Sequence, residues 1–204
     1  MILLTSQGFY SERTKPILKS MIADKEEGGE IRAALITTAS DQREHCPYNI
    51  KDRETLLDMG CSQVDFIDLE TRANFDSSSY SLIYVCGGNT FRLLQGMRKS
   101  SFRESLEKFL DDGGIYVGVS AGSLVLGPSI ELADWFTDEN NVVGLSDFTG
   151  LNTVPVTVFP HYSDQAEAQI VDFERTHSVK VTRLTDSQVL VCKREDDRFL
   201  CEAF

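Results

Sequence analysis

No apolar stretch in the sequence approaches the ~18 residues that a bilayer-spanning helix needs. Its opening run, Met1-Ile2-Leu3-Leu4-Thr5-Ser6-Gln7-Gly8, has no basic flank of the kind that begins an export signal. A membrane span and a secretory leader are both unexpected, and the chain reads as cytoplasmic. The five cysteines, Cys46, Cys61, Cys86, Cys192 and Cys201, are scattered, odd in number and without a C-x-x-C pair. Neither a disulfide framework nor a zinc site is expected from them, which fits a reducing compartment. Lysine and arginine form no cluster and number 20 against 32 aspartates and glutamates. The resulting net charge of −12 opposes binding to nucleic-acid phosphates. Neither G-x-G-x-x-G nor G-x-x-x-x-G-K-[ST] is present, so no loop is marked out to cradle a phosphate. Nothing in the pattern implies a metal or an organic cofactor.

What is present is a repeating alternation. Short β-branched apolar runs at Ile2 to Thr5, Ala33 to Thr37, Val64 to Leu69, Leu82 to Cys86, Ile115 to Val119 and Val154 to Phe159 read as strands. Their near-continuous apolarity suits parallel strands covered on both faces. Between them lie stretches with helical spacing, at Ser11 to Ile22, Ile50 to Met59, Thr90 to Met97 and Gln165 to Phe173. A further helix carries Phe102, Leu106, Phe109 and Leu110 on one face. It is preceded by the capping-box pattern Ser101-Phe102-Arg103-Glu104 and closed by Asp111-Asp112-Gly113-Gly114. No repeat, low-complexity tract or shift in composition divides the chain. The expected architecture is one α/β domain over residues 1–204, a three-layer sandwich around a mostly parallel sheet. In such sheets ligands gather at the carboxyl ends of the strands, which directs attention to the loops after Cys86, Val119 and Phe159.

Gly118-Val119-Ser120-Ala121-Gly122 follows a strand and precedes a helical stretch that begins at Ser123. It has the form and setting of a nucleophile elbow, in which small residues allow a tight turn that pushes the serine hydroxyl into the open. A serine needs a base, and there are three histidines. His161, in Phe159-Pro160-His161-Tyr162, ends an apolar run and belongs to the same strand-end surface as Ser120. His45 and His177 lie in polar stretches and read as solvated. The acid that would orient the imidazole is open among Asp186, in Leu184-Thr185-Asp186-Ser187, and Glu131 or Asp134 shortly after the elbow. Oxyanion donors are expected from the amide of Ala121 and from Gly88, in Gly87-Gly88-Asn89-Thr90-Phe91. Asn89 is either a substrate contact or a helix cap.

Taken together, Gly87-Gly88-Asn89-Thr90-Phe91, Gly118-Val119-Ser120-Ala121-Gly122-Ser123 and Phe159-Pro160-His161-Tyr162 resemble the peptidase E family of serine peptidases in order and spacing. The resemblance implies a flavodoxin-like sandwich related to class I glutamine amidotransferases, with Ser120 as nucleophile and His161 as base. It also implies Gly88 and Ala121 as oxyanion donors and Asp186 as the acid. It points to hydrolysis of small peptides, with an esterase or cyanophycinase-like hydrolase as the alternative within the fold; a homodimer is a separate candidate assembly. An inactive binding descendant is the alternative outside catalysis. The better-known members are aspartyl dipeptidases with an arginine-containing stretch soon after the histidine. Tyr162 to Ile170 here has two acids and no cation, so strict aspartyl specificity is not expected.

Overall fold

The computed structural model describes residues 1–26, 29–136, 140–195 and 198–204. Five strands, β1 (Ile2–Thr5), β2 (Arg32–Ile36), β3 (Gln63–Ile67), β4 (Leu82–Val85) and β5 (Ile115–Val119), form the parallel part of a seven-stranded sheet. The order is β3-β2-β4-β5-β1-β8-β9, with β8 (Val189–Glu195) and β9 (Arg198–Ala203) added as an antiparallel hairpin beside β1. A separate parallel pair joins β6 (Thr157–Phe159) to β7 (Val181–Arg183). The helices are α1 (Lys15–Glu26), α2 (Pro47–Asp58), α3 (Thr90–Lys99), α4 (Phe102–Asp111), α5 (Ala121–Leu124), α6 (Glu131–Phe136) and α7 (Glu167–His177). Among the described residues no helix is long and apolar enough to cross a membrane.

The period-two alternation of a strand explains the continuous apolar runs. Ile2, Leu4, Ala34, Ile36, Ile83, Val85 and Tyr116 point to one face, where they pack with residues of α3, α4 and α7. Leu3, Ala33, Leu35, Leu82, Tyr84 and Val117 point to the other and meet Leu18 and Ile22 of α1 and Leu56 of α2. A strand with two cores to fill is buried throughout, as β1 and β4 are, and the one hydroxyl-bearing aliphatic side chain in them, Thr5, donates to Gly118 O at 2.9 Å.

Several local expectations need correction. Only Thr157–Phe159 of the run Val154 to Phe159 is a strand, and it lies outside the main sheet. Val154 is buried all the same, its amide bonded to Leu126 O at 3.2 Å. Apolarity there reports core contact rather than a ladder. The Ser101 side chain does not cap α4; its hydroxyl donates to Phe75 O at 2.8 Å. The cysteines are not all unpaired, for Cys192 and Cys201 form a disulfide. They lie directly opposite in the β8–β9 hairpin, a register that nine residues of sequence separation do not reveal. The inference of a reducing compartment loses that premise.

The chain runs outward from β2 to β3, returns to β4 and continues to β5 in the opposite direction, so the order reverses between β2 and β4. A crevice opens at such a reversal, outside the carboxyl ends of the strands. Its walls here are the segments after β1, β2, β4 and β5. A cleft of about 700 Å³ occupies it, and Ser6, Ala39, Gly88, Ser120 and His161 are among its lining residues.

Candidate active site

Ser120 leaves β5 with φ 49° and ψ −107°, a conformation that costs a non-glycine residue about 1–3 kcal/mol and needs its surroundings to hold it. The Ser120 amide donates to Thr5 O at 2.9 Å, and its carbonyl accepts the amides of Ser123 and Leu124 at 2.8 and 3.1 Å. The buried Ser123 hydroxyl lies 2.8 Å from the carbonyl oxygens of both Thr5 and Gly118 and accepts the Thr5 amide at 2.9 Å, tying the turn to β1. Crowding explains the flanking glycines. A Cβ at Gly118 would stand 2.5 Å from Gly122 O, and one at Gly122 would stand 2.4 Å from Val85 O.

His161 arrives from the end of β6. It too has a positive φ, 57°, and its backbone is held by Ser6. The Ser6 hydroxyl accepts the His161 amide at 3.0 Å and donates to Leu184 O at 2.7 Å. Leu184 O also accepts the Tyr162 amide at 3.1 Å. This fixture brings His161 Nε2 to 3.1 Å from Ser120 Oγ and Nδ1 to 2.7 Å from Asp186 Oδ1. An ionised carboxylate can only accept, so Nδ1 carries the proton and Nε2 is left to accept from the serine.

Asp186 sits in the turn between β7 and β8, where Gln188 N donates to Thr185 O at 3.1 Å. Its second oxygen accepts Gln7 Nε2 at 2.8 Å. Glu131 and Asp134 lie on α6, and neither is the acid on His161 Nδ1. His45 is exposed, as its polar setting suggests. His177 is not simply solvated: its ring stacks on Phe173 at 4.0 Å between centroids and meets Trp135 edge-on at 5.2 Å. Ser6 and Gln7 escaped the sequence reading, although they directly follow β1 and fall under the same strand-end rule as the other loops.

Gly88 adopts φ 138°, and a Cβ there would lie 2.5 Å from Ala39 O. Glycine therefore lets the β4 loop press against the loop after β2, where the Asn89 amide donates to Ala39 O at 2.8 Å. Asn89 lines the cleft and also caps α3. Oδ1 accepts Arg92 N at 2.9 Å, and Nδ2 donates to Asn140 O at 2.9 Å. Ala121 is the first residue of α5 and is fully buried, next to the serine. Among the described residues no group of three or more His, Cys, Asp or Glu side chains is placed to hold a metal ion.

A hydroxyl, an imidazole and a carboxylate are thus hydrogen-bonded in that order at the carboxyl end of an α/β sheet, an arrangement through which an imidazole can accept a serine proton. The chain belongs to peptidase family S51, whose family model matches residues 1–199. It is 32% identical over 146 residues to an uncharacterized peptidase of Pasteurella multocida, spanning 68% of this chain and 70% of the relative. It is 28% identical over 133 residues to peptidase E of a Nostoc species, spanning 65% of this chain but only 53% of that longer protein. Two solved structures share the fold. A protein of Listeria monocytogenes ascribed to peptidase E superposes with a TM-score of 0.70 at 21% identity, over 100% of this chain and 96% of its own. A peptidase from an acI-B1 actinobacterium gives 0.62 at 19% identity, over 93% and 81%.

Proposed function

We propose that this member of family S51 is a serine peptidase that hydrolyses small peptides through an acyl-enzyme on Ser120. The observation that carries the reading is the unbroken row from Asp186 Oδ1 through the His161 imidazole to Ser120 Oγ, at 2.7 and 3.1 Å. In the proposed reaction His161 Nε2 takes the hydroxyl proton as Ser120 Oγ attacks the peptide carbonyl. The Nδ1 proton stays on its bond to Asp186, whose charge stabilises the imidazolium. The oxyanion is received by the amides of Ala121 and Gly88. His161 then returns the proton to the departing amine. A water molecule, activated by the same nitrogen, hydrolyses the ester and frees Ser120.

Support for a small substrate comes from the cleft. Its volume of about 700 Å³ falls in the range of small-ligand sites and suits a short peptide better than a folded chain. Activity-based labelling tests the nucleophile. A fluorophosphonate should modify Ser120 in the folded protein, with the adduct located by peptide mass spectrometry. An unlabelled Ser120 in protein that cleaves dipeptides would sink the acyl-enzyme route.

A further inference from the structure

The cleft has a floor that the acyl-transfer chemistry leaves unused. Helix α2 turns Asn49, Asp52 and Leu56 inward, so a carboxylate occupies the buried stripe that an amphipathic helix fills with hydrocarbon. Asp52 is only 5% exposed. Its Oδ1 accepts Tyr10 Oη at 2.5 Å and Tyr84 Oη at 2.8 Å. Both donors are neutral, and no ion pair among the described residues includes Asp52. A carboxylate withdrawn from water without a counter-ion lacks the partner that buried charges ordinarily have. Burial accordingly pushes Asp52 up to about 6, against the pull of hydrogen bonds from the two phenols and from the equally neutral Cys86 thiol, and of Lys51.

The carboxylate is also close to the proposed chemistry. Tyr10, Asp52 and Lys51 line the same cleft as Ser120, Gly88 and His161. One methyl group added at Gly8 would stand 2.5 Å from Tyr84 Oη, 3.6 Å from Asp52 Oδ1 and 3.7 Å from Val119 Cγ2. Asp52 Oδ1 therefore lies no more than about 7 Å from the side chain of Val119, the residue that precedes Ser120. The mouth of this recess already attracts a cation, for Lys51 Nζ lies 3.9 Å from the centroid of the Tyr10 ring.

We infer that Tyr10, Asp52 and Tyr84 form a subsite for a protonated amine of the substrate, with the Asp52 carboxylate as its counter-charge and the phenols fixing that carboxylate in place. This rests on the reading of the cleft as the peptide site. An R–NH₃⁺ group can come from the N-terminus of a short peptide or from a lysine side chain, and either would complete the ion pair that the fold leaves open.

Binding to the Ser120→Ala protein separates this inference from the hydrolytic mechanism. Isothermal titration with a free-amine tripeptide against its N-acetylated twin reads the N-terminal source. A lysine-containing acetylated peptide against its norleucine twin reads the side-chain source. The ammonium-bearing member of at least one pair should bind about tenfold or more tightly, and adding Asp52→Asn should bring that ratio close to one. Lys51→Met, a change at an exposed side chain, should strengthen ammonium binding roughly two- to fivefold by removing a competing positive charge. Equal binding within both pairs, no binding of any peptide, or a preference that survives Asp52→Asn overturns the subsite. Weaker ammonium binding on Lys51→Met does so as well, since it would assign recognition to a substrate carboxylate. Failure of Ser120 to label in the parent protein, with the binding ratio intact, would instead remove the mechanism and leave the subsite standing.

Discussion

Asp186 and Asp52 are the same residue type at the same edge of the same sheet, yet their surroundings give them different chemistry. The Asp186 side chain is 48% exposed and meets an imidazole and an amide. Asp52 is nearly buried and meets two phenols. Asp186 reaches its place because β8 runs antiparallel to β1, so that Val189 pairs with Thr5 and the turn before β8 lands at the carboxyl end of the parallel strands. Asp52 reaches its place because α2 packs that face on the sheet beside Tyr84. Its hydrogen bonds at an exposed position suit Asp186 to orient a neighbour. Desolvation makes the Asp52 charge costly until something positive arrives.

This contrast can be broken in order of expected effect. Ser120→Ala removes the group that Asp186 serves through His161, and dipeptide hydrolysis should fall by about 10⁴- to 10⁶-fold in kcat with the fold intact by circular dichroism. Asp186→Asn should lower kcat by about 10²- to 10⁴-fold, because an amide can present its NH₂ to Nδ1 and favour the wrong tautomer. A similar KM with that loss would place the effect in the chemical step, whereas undiminished kcat would end the role of Asp186.

Asp52 is distinguished by stability rather than rate. In the unfolded chain its carboxyl titrates near 3.8, whereas burial holds it at about 6 in the fold. Between those values the folded state binds more protons than the unfolded one, so this group's contribution to stability falls as pH rises through the window. The penalty is complete above pH ~6 and on the order of 2–3 kcal/mol. Asp52→Asn should remove that slope, seen as a shallower fall of Tm between pH 4 and 7 than in the parent. Parallel Tm curves would show that Asp52 does not titrate as its burial requires.

The smallest expected change tests the support of Asp186. Gln7→Ala removes the amide on its second oxygen, at an exposed position where water can substitute. A loss of roughly three- to tenfold in kcat/KM, with Tm nearly unchanged, is the expected outcome. A loss as large as that of Asp186→Asn would mean that Gln7 itself touches the substrate.

Much of this was legible before any coordinates. The strands β1 to β5 stand out because burial on two faces leaves only apolar residues, and the Gly113 stop of α4 is visible because φ 78° favours glycine. The hairpin of β8 and β9 lies outside the strands expected from sequence, although Val189-Leu190-Val191-Cys192 is as apolar as those runs. The capping-box pattern misled because a serine hydroxyl takes whichever acceptor the tertiary structure brings, here Phe75 O. Asn49 and Asp52 at inward positions of α2 were the missed signal for the recess, since a polar residue on a buried stripe is the informative exception.

By itself the sequence determined the elbow at Ser120, because G-x-S-x-G is a local steric demand of one strained turn packed against its neighbours. Local backbone geometry likewise marked Gly88 and the strand-end position of His161. The choice of one carboxylate among 32 acidic residues belonged to the tertiary structure. Asp186 lies 25 positions from His161 and meets it only because β7 pairs with β6 and the turn that follows leads into β8 beside β1. Burial of Asp52 was decided the same way, since desolvation depends on what packs around a residue and no spacing along the chain encodes that directly.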